Sequence, residues 1–230
     1  MKIHKMKRAE QLFDVKHFAK LKAEGKRLST TETFRHIYDS NHWASNTSVS
    51  GTGSNEAQTA EIIKQIPILM GDLGAESLVD IPCGDFSWLR KLDLDLFLYV
   101  GGDILSELVE KNITHFQSQK KHFIHINLIE DDLPTGDLLL CRDCLVHFSI
   151  ADIHRTLANI KRSSIKYWLT TTFAECEQNT DITTGDWRVI NLQKPPFNLP
   201  KPMRLINEHC TEGQGTYADK CLGLWKVADL

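Results

Sequence analysis

The stretch Leu78-Val-Asp-Ile-Pro-Cys-Gly-Asp85, followed by Val100-Gly-Gly-Asp103, decides the fold of this chain. Each run is a short apolar strand that ends in an acidic residue, and the first continues into a turn at Gly84. A glycine turn lets the backbone approach a ligand at the carboxyl end of a strand. Asp103 lies roughly 20 residues beyond the turn, where Rossmann-like folds place the carboxylate that binds ribose hydroxyls. The two runs therefore predict a nucleotide-type cofactor site.

The charges beside this turn discriminate between cofactors. Asp80 and Asp85 flank the turn, and a pyrophosphate bound to helix N-terminal amides would be repelled by two carboxylates. The Gly-x-Gly-x-x-Gly spacing of dinucleotide sites is also absent. A ligand that carries an ammonium and a sulfonium, as S-adenosylmethionine does, would be attracted by the same side chains. An ordinary strand-to-helix turn without a ligand is the alternative.

The composition indicates one globular domain. The chain has 230 residues, of which 41% are hydrophobic and 25% charged, and a formal net charge of -3, which allows one substantial core. No apolar stretch has the length of a membrane span, and the Lys-rich start lacks the apolar centre of a signal peptide. We therefore expect a cytoplasmic protein with no membrane partner, whose six cysteines are reduced and packed as small apolar side chains.

The first 55 residues are predicted to form a region of their own, ahead of a cofactor-binding domain at 56–230. Residues 1–28 hold nine Lys or Arg against three acidic residues, a local net charge of +6, so the remainder carries -9. Such an arm could attract a nucleic acid or another anion, although a solvated helix or a frayed terminus explains it more simply. Phe34, Ile37 and Tyr38 then follow at helical spacing and predict a helix that docks on the main domain.

A small-residue segment follows this helix. Ser48-Val-Ser-Gly-Thr-Gly-Ser54 is too polar to pack and flexible enough to fold over a ligand, although a linker would have the same composition. Trp43 precedes the segment and offers a large apolar surface that needs something to cover. We therefore predict a lid over the cofactor, to which Trp43 and Gly51 contribute.

From residue 56 onward the pattern alternates between helices and strands, which is typical of a parallel sheet with helices on both faces. Strands are predicted at 77–81, 97–102, 122–126, 137–142 and 166–172. Helices are predicted at 57–73, 86–92, 104–118 and 150–162. The tail differs, because two further strands, Met203–Cys210 and Lys220–Val227, are joined by the segment Thr211–Asp219. The predicted fold class is α/β, with a Rossmann-like, doubly wound, mostly parallel sheet of seven strands and a C-terminal antiparallel hairpin.

Five alternating units and a terminal hairpin resemble the class I S-adenosylmethionine-dependent methyltransferases, over about residues 34–230. Asp80-Ile-Pro-Cys-Gly-Asp85 is similar to the first motif of that family, whose turn holds the methionine end of the cofactor. Asp103 matches the acidic residue that binds the ribose hydroxyls, and Asn127 matches the position, usually Asp, that contacts the adenine. The resemblance implies S-adenosyl-L-methionine as the cofactor. It also implies the following binding residues: Trp43, Gly51, Asp80, Pro82, Cys83, Gly84, Asp103, Ile104, Asn127, Leu128 and Cys141.

Further motifs resemble a little-characterised group within this family. Two positions depart from the usual pattern of the family as a whole. The turn keeps only the middle of three glycines, with Pro82 and Phe86 at the outer positions, and Asn127 replaces Asp. The motifs that carry the narrower resemblance are Phe34-x-x-Ile37-Tyr38, Ser50-Gly51-x-Gly53-Ser54, Cys141-Arg-Asp-Cys-Leu-Val-His147 and Asp219-Lys-x-Leu222.

The strand at 137–142 and the residues after it resemble the fourth motif of the family, which delivers side chains beside the transferable methyl group. Methyl transfer needs in-line alignment above all, because the sulfonium is already an activated leaving group. A hydroxyl or a protonated amine as acceptor would also need a base, and Asp143 and His147 are the nearby titratable candidates. If this stretch is helical, the two side chains share one face. The alternative is that His147 caps or packs the following helix.

The acceptor site is predicted to draw on the proline-rich segment before the hairpin. Trp187 and Arg188 could stack on and pair with a planar or anionic acceptor, with Arg142 facing them, although Trp187 could equally well be packed in the core. Cys141-x-x-Cys144 suggests a zinc half-site or a redox pair. The remaining ligands lack paired spacing, however, and the first cysteine closes a strand instead of starting a helix, so we predict no metal.

The predicted function is methyl transfer from S-adenosylmethionine to an unidentified acceptor, in the first instance a small molecule. A nucleic-acid methyltransferase is the second hypothesis. The basic arm favours it, whereas the acidic body and the lack of an Asn-Pro-Pro-Tyr type motif after the fourth strand do not. The third hypothesis is a noncatalytic module that uses a cofactor fold to recognise a partner protein.

Overall fold

A computed structural model describes residues 14–43, 45, 48–92 and 98–230. Its seven strands form one sheet in the order β3-β2-β1-β4-β5-β7-β6. The first five strands pair in parallel, and β7 runs antiparallel between β5 and β6. The predicted fold class is therefore confirmed. The strands are β1 (Ser77–Asp80), β2 (Leu98–Asp103), β3 (Lys121–His125), β4 (Leu138–Cys141), β5 (Tyr167–Phe173), β6 (Arg204–Asn207) and β7 (Lys220–Lys226).

Five α-helices accompany the sheet within the described residues. The helix predicted at 86–92 is wrong in extent, because only Leu89–Lys91 forms a single 3-10 turn. Phe86 has a φ of 54°, and a left-handed residue of this kind cannot be part of a right-handed helix. The helices are α1 (His17–Ala23), α2 (Thr30–Asp39), α3 (Glu56–Leu73), α4 (Ser106–Phe116) and α5 (Ile150–Arg162).

Both faces of the sheet are covered by helices, which explains why the central strands are continuously apolar. Side chains alternate along β1, so that Leu78 packs with Ile66 of α3 on one face and Val79 packs with Ile153 of α5 on the other. The chain winds outward from β1 to β3, returns to β4, and then continues in the opposite direction. In sheets of this kind, ligands bind at the carboxyl ends of the strands where the order reverses.

The segment before α3 lies against the main body. Asp186, in the segment that follows β5, accepts hydrogen bonds from the backbone N–H groups of Phe18 (2.8 Å) and Ala19 (3.1 Å) and so caps the start of α1. Arg35 of α2 forms a two-pronged ion pair with Glu107 of α4, at 2.7 and 2.9 Å. Residues 1–13 of the basic arm lie outside the described residues. Of the helices described, none combines the length and the apolar character needed to cross a membrane.

Candidate active site

A cavity with about 1040 Å³ of empty space opens at the carboxyl ends of β1, β2 and β4. Its walls come from the glycine turn after β1, the ends of the neighbouring strands and the segment before α3. The structure therefore brings together most of the residues that the sequence assigned to one site. Those that line this cavity are Trp43, Asp80, Pro82, Cys83, Gly84, Asp103, Ile104, Asn127, Leu128, Arg142, Asp143 and His147.

Asp103 lies at the end of β2 and is buried beside the glycine turn. Its two carboxylate oxygens accept hydrogen bonds from the backbone N–H groups of Gly84 and Leu105, each at 3.0 Å. Burial raises the pKa of Asp103 to about 6, although these backbone donors act in the opposite direction. Since each carboxylate oxygen can accept two hydrogen bonds, Asp103 keeps capacity beyond these two donors. Asp103 thus fits a ligand that offers a pair of hydroxyls.

Asp80 lies at the end of β1 and is also buried. It accepts a hydrogen bond of 2.8 Å from the hydroxyl of Tyr99. Burial raises the pKa of Asp80 to about 7, against the lowering effect of this bond. A carboxylate that water does not solvate is stabilised by a cationic ligand at short range. The first cavity therefore suits a ligand that combines positive charge with vicinal hydroxyls.

The glycine at the centre of the turn is required by close packing. Gly84 has a φ of 54°, and a Cβ built on it would lie 2.1 Å from Oγ of Ser50. The side-chain amide of Asn112 in α4 donates a hydrogen bond of 2.8 Å to the carbonyl of Gly84 and holds the turn in place. A larger residue at this position would be strained by the left-handed backbone and would displace the hydroxyl of Ser50.

The small-residue segment Ser48–Ser54 is fastened across the mouth of the site. The carboxylate of Asp85 accepts from the Oγ of Ser48 (3.1 Å) and from the N–H of Val49 (3.0 Å). Arg142 donates to the carbonyl of Gly53 at 2.9 Å. Asp85 was expected to attract the charge of the cofactor, but its oxygens bind this segment, and it does not line the cavity.

Asp143 and His147 do not share a helix face. Asp143 has a φ of 51°, and the helical turn that follows covers only Leu145–His147. His147 does not cap α5 either, because Ser149 is its N-cap residue and accepts from the N–H of Asp152. The left-handed backbone at Asp143 turns the chain sharply at the end of β4. Both side chains nevertheless line the cavity, as does Arg142, which directly precedes Asp143 in the sequence.

A buried ion cluster surrounds Asp143. Arg142 contacts Glu208 at 2.6 Å and Asp143 at 3.3 Å, and Lys220 contacts Asp143 at 2.8 Å and Glu208 at 3.6 Å. We call these four residues the ion cluster. Burial opposes ionisation of Asp143, yet the positive charges of Arg142 and Lys220 hold its pKa below the usual range. Asp143 is therefore a stable anion and a poor proton acceptor.

His147 is held as a neutral imidazole. Its Nδ1 lies 3.2 Å from the backbone carbonyl of Asp186, and since a carbonyl can only accept, Nδ1 carries the proton. Burial lowers the pKa of His147 to about 4. Nε2 then keeps its lone pair, and no residue that the structure describes donates a hydrogen bond to it. The ring packs against Trp43 at a centroid distance of 4.3 Å.

A second cavity, with about 970 Å³ of empty space, adjoins the first. Four residues line both: Trp43, Ser50, Asp143 and His147. Three further aromatic side chains, Phe173, Trp187 and Tyr217, pack edge-to-face on one another at centroid distances of 5.2 to 6.4 Å. The remaining residues that line it are Gly51, Thr52, Gly53, Cys210, Glu212, Gly213 and Lys220. A molecule here would meet a ligand of the first cavity beside His147.

Solved methyltransferase structures share this architecture. PigF with SAH (S-adenosylhomocysteine) aligns over 92% of this chain and 66% of its own length, with a TM-score of 0.58 and 11% identity. Human N-acetylserotonin methyltransferase in complex with SAM (S-adenosylmethionine) aligns over 90% of this chain and 61% of its own length, with a TM-score of 0.55 and 11% identity. The chain has the class I methyltransferase fold. N-methyltransferase NodS from Bradyrhizobium japonicum WM9 aligns over 75% of this chain and 98% of its own, with a TM-score of 0.55 and 10% identity.

Sequence comparison adds nothing to this result, because no protein-family model and no curated protein matches the chain. The methyltransferase fold is thus established by structure alone. The chain spans about two thirds of the length of PigF and of the human enzyme.

All six cysteines are free thiols. In the part of the chain that is described, no group of three His, Cys, Asp or Glu side chains is arranged to hold a metal ion.

The methyltransferase fold places some predicted site residues away from the first cavity. Gly51 and Trp187 line the second cavity only, and Cys141 is fully buried and lines neither. The guanidinium of Arg188 donates to the carbonyls of Leu145 and Phe148, both at 2.7 Å, and to that of Thr180. Three of its five donors thus bind backbone carbonyls, and Arg188 lines neither cavity, so the structure does not bring it together with the other predicted acceptor residues.

Arg142 also differs from the prediction. It lines the first cavity and not the second, and its donors bind Glu208, Asp143 and the carbonyl of Gly53. It therefore does not face Trp187 across the acceptor site. Its contacts show instead that it joins the end of β4 to the small-residue segment and to the ion cluster.

Sequence analysis missed several residues around the two cavities. The burial of Lys220 could have been predicted, since this lysine directly precedes the apolar run Cys221–Trp225. Such a lysine is seldom buried unless it is paired with an acid. Glu208 and Glu212 carried no comparable signal, because nothing in the local pattern distinguishes them from surface residues.

The ion cluster supports a prediction about stability. Replacing Glu208 with Gln should lower the free energy of unfolding by about 3–5 kcal/mol, because it leaves the buried cations of Arg142 and Lys220 with the single carboxylate of Asp143. For a chain of this size the melting temperature should fall by roughly 6–20 °C. Thermal unfolding followed by circular dichroism measures the change.

The matched control is Glu177→Gln. Glu177 pairs with Lys194 at the surface, where their side chains are 84% and 40% exposed, and this pair should contribute less than about 1 kcal/mol. Equal losses in the two variants would show that the ion cluster has no special role in stability.

Proposed function

We propose that this chain is an S-adenosylmethionine-dependent methyltransferase that acts on a small-molecule acceptor. The proposal rests on the observation that the two cavities adjoin and share lining residues. The first contains the buried carboxylates of Asp80 and Asp103 beside the glycine turn, and the second is lined by aromatic side chains. His147 lines both, at the place where a methyl donor and an acceptor would meet.

The residues of the first cavity fit S-adenosylmethionine, which supplies an activated methyl group when it is bound. The carboxylate of Asp103 would accept hydrogen bonds from the ribose hydroxyls, and Asp80 would stabilise the ammonium of the methionine end. Asn127 and Leu128 would border the adenine. The side-chain oxygen of Asn127 accepts from the N–H of Ile129 at 3.0 Å, so its orientation is already fixed. Structures of this fold with SAM or SAH bound support the assignment.

The second cavity suits a small acceptor better than a nucleic acid. Its walls are aromatic and confined, whereas a nucleic-acid site needs an extended basic surface. Residues 1–13, which hold four of the nine basic residues of the arm 1–28, lie outside the described residues. We also propose a cytoplasmic location, which the six free thiols support.

His147 is proposed as the base that prepares the acceptor. Its neutral imidazole can accept the proton of a hydroxyl or an ammonium at Nε2, while the bond to the Asp186 carbonyl fixes the ring. Asp143 is proposed to position the neighbouring chain, since its carboxylate is engaged by Arg142 and Lys220 in the ion cluster. Trp43 and the segment Ser48–Ser54 would exclude water from the transfer step.

Ligand-induced stabilisation tests the proposed cofactor. SAH at about 100 times its Kd should stabilise the protein by about 2.7 kcal/mol, which corresponds to a rise in melting temperature of roughly 5–10 °C. NAD+ shares the adenosine but carries a pyrophosphate, so it should give no shift at the same concentration. Thermal melts with each ligand measure the difference. A shift with NAD+ equal to that with SAH, or no shift with SAH, would contradict the proposal.

A further inference from the structure

We infer that the acceptor is a cationic amine on an aromatic or apolar scaffold. This inference rests on the proposed function and deepens it by naming the acceptor class. Three features of the second cavity support the inference: its charge balance, its aromatic walls and the neutral imidazole at its junction with the first cavity.

The charges of the second cavity do not cancel. Asp143 and Lys220 line it and belong to the ion cluster, in which two cations and two carboxylates neutralise one another. Lys220 is therefore not available to an anionic acceptor. Its amine lies 2.8 Å from Asp143 and 3.6 Å from Glu208. The cluster as a whole contributes no net charge to the cavity.

Glu212 is the charged residue that remains. It accepts a hydrogen bond of 2.5 Å from the hydroxyl of Thr52, and it forms no ion pair with any residue that the structure describes. The neighbouring Cys210 is a neutral thiol, because burial raises its pKa. With Glu212 included, the carboxylates here exceed the cations by one, and such an excess attracts a cation and repels a carboxylate or phosphate.

The aromatic side chains point to the same class of ligand. Trp43, Phe173, Trp187 and Tyr217 all line the second cavity together with Glu212. Aromatic rings attract cations through their quadrupole, most strongly when water is excluded, and they also pack against planar or apolar groups. An apolar body that carries an ammonium would satisfy both the rings and the carboxylate.

The chemistry of transfer to such an acceptor balances with the groups present. An ammonium has no lone pair, so it must first lose a proton, which Nε2 of His147 relays to water. The free nitrogen lone pair then forms the N–C bond as the C–S bond of the cofactor breaks. The products are a methylated ammonium, SAH and a proton released to water.

The test compares ligands that differ only in charge. The probes are 2-phenylethylamine, 2-phenylethanol and phenylacetate, titrated calorimetrically at pH 7 into the SAH-loaded protein. The amine should bind at least about tenfold more tightly than the alcohol and the acid, as expected for a hydrogen-bonded charge. Glu212→Gln should remove this preference and leave SAH affinity unchanged, since Glu212 lies outside the first cavity. Glu110→Gln, which removes an exposed charge from α4, should leave the preference intact.

The outcomes separate this inference from the proposed function. If SAH binds but the amine binds no better than the alcohol, the amine inference is wrong and the methyltransferase proposal stands. An amine preference that persists in Glu212→Gln would also overturn the inference, because the cation would then be recognised elsewhere. If SAH itself does not bind, the proposed function fails, and the inference fails with it.

Discussion

Replacing His147 with Gln lowers methyl transfer by about 100-fold, the lower end of the usual contribution of a positioned general base, because the pKa of His147 is about 4 and lies below the working pH. Glutamine is close to histidine in length, but its amide cannot accept a proton. SAH affinity should be unchanged, because the variant keeps the carboxylates of the first cavity. Transfer of label from methyl-tritiated S-adenosylmethionine to 2-phenylethylamine measures the rate.

The pH profile of the parent protein provides a second readout of His147. Because burial lowers its pKa to about 4, the imidazole stays neutral as the pH falls from 8 to 5. With saturating S-adenosylmethionine, which offsets weaker binding as Asp80 and Asp103 protonate, protonation of His147 should therefore lower kcat only as the pH approaches 4. His154→Gln, an exposed substitution in α5, is the control. Turnover that is the same in His147→Gln and in the parent would remove His147 from the mechanism.

Replacing Asp103 with Asn should weaken SAH binding by about 100- to 10,000-fold. Two hydrogen bonds from ribose hydroxyls to a carboxylate are worth about 3–6 kcal/mol together, since each bond to a charged group contributes roughly 1.5–3 kcal/mol. The amide nitrogen of Asn cannot accept a hydrogen bond and would lie against the N–H of Gly84 or Leu105. Calorimetric titration with SAH gives the change in Kd.

The control for this loss is Asp132→Asn. Asp132 is 97% exposed and pairs with Arg162 at the surface, so its replacement removes the same charge without touching the cavity. Both variants should keep the circular dichroism spectrum of the parent. A Kd for Asp103→Asn within about threefold of the parent value would place the ribose elsewhere, since such a change is below 1 kcal/mol.

The parts of the fold that sequence analysis predicted correctly are those determined by local patterns. The strands β1 and β2 are short apolar runs that end in Asp80 and Asp103, and a buried parallel strand leaves this pattern in any sequence. Because parallel strands carry their carboxyl ends to one edge of the sheet, the two carboxylates had to lie near each other. The hairpin was visible for the same reason, as two short runs joined by a glycine-bearing segment.

The parts that were missed depend on contacts between distant segments. Asp143 and Lys220 are 77 positions apart, and Arg142 and Glu208 are 66 apart, so no local pattern shows that they meet. Asp143 was paired with His147 on an assumed helix, which its left-handed backbone does not allow. The carbonyls of Leu145 and Phe148, which accept hydrogen bonds from Arg188, lie 43 and 40 positions away from it in the sequence. Only the folded chain shows these bonds.

A crystal structure of the protein grown with SAH would show whether the first cavity is the cofactor site. We expect SAH in the first cavity, with both ribose hydroxyls within hydrogen-bond distance of Asp103 and the sulfur at the junction where His147 lies. Density for SAH outside this cavity, or a ribose turned away from Asp103, would contradict this assignment.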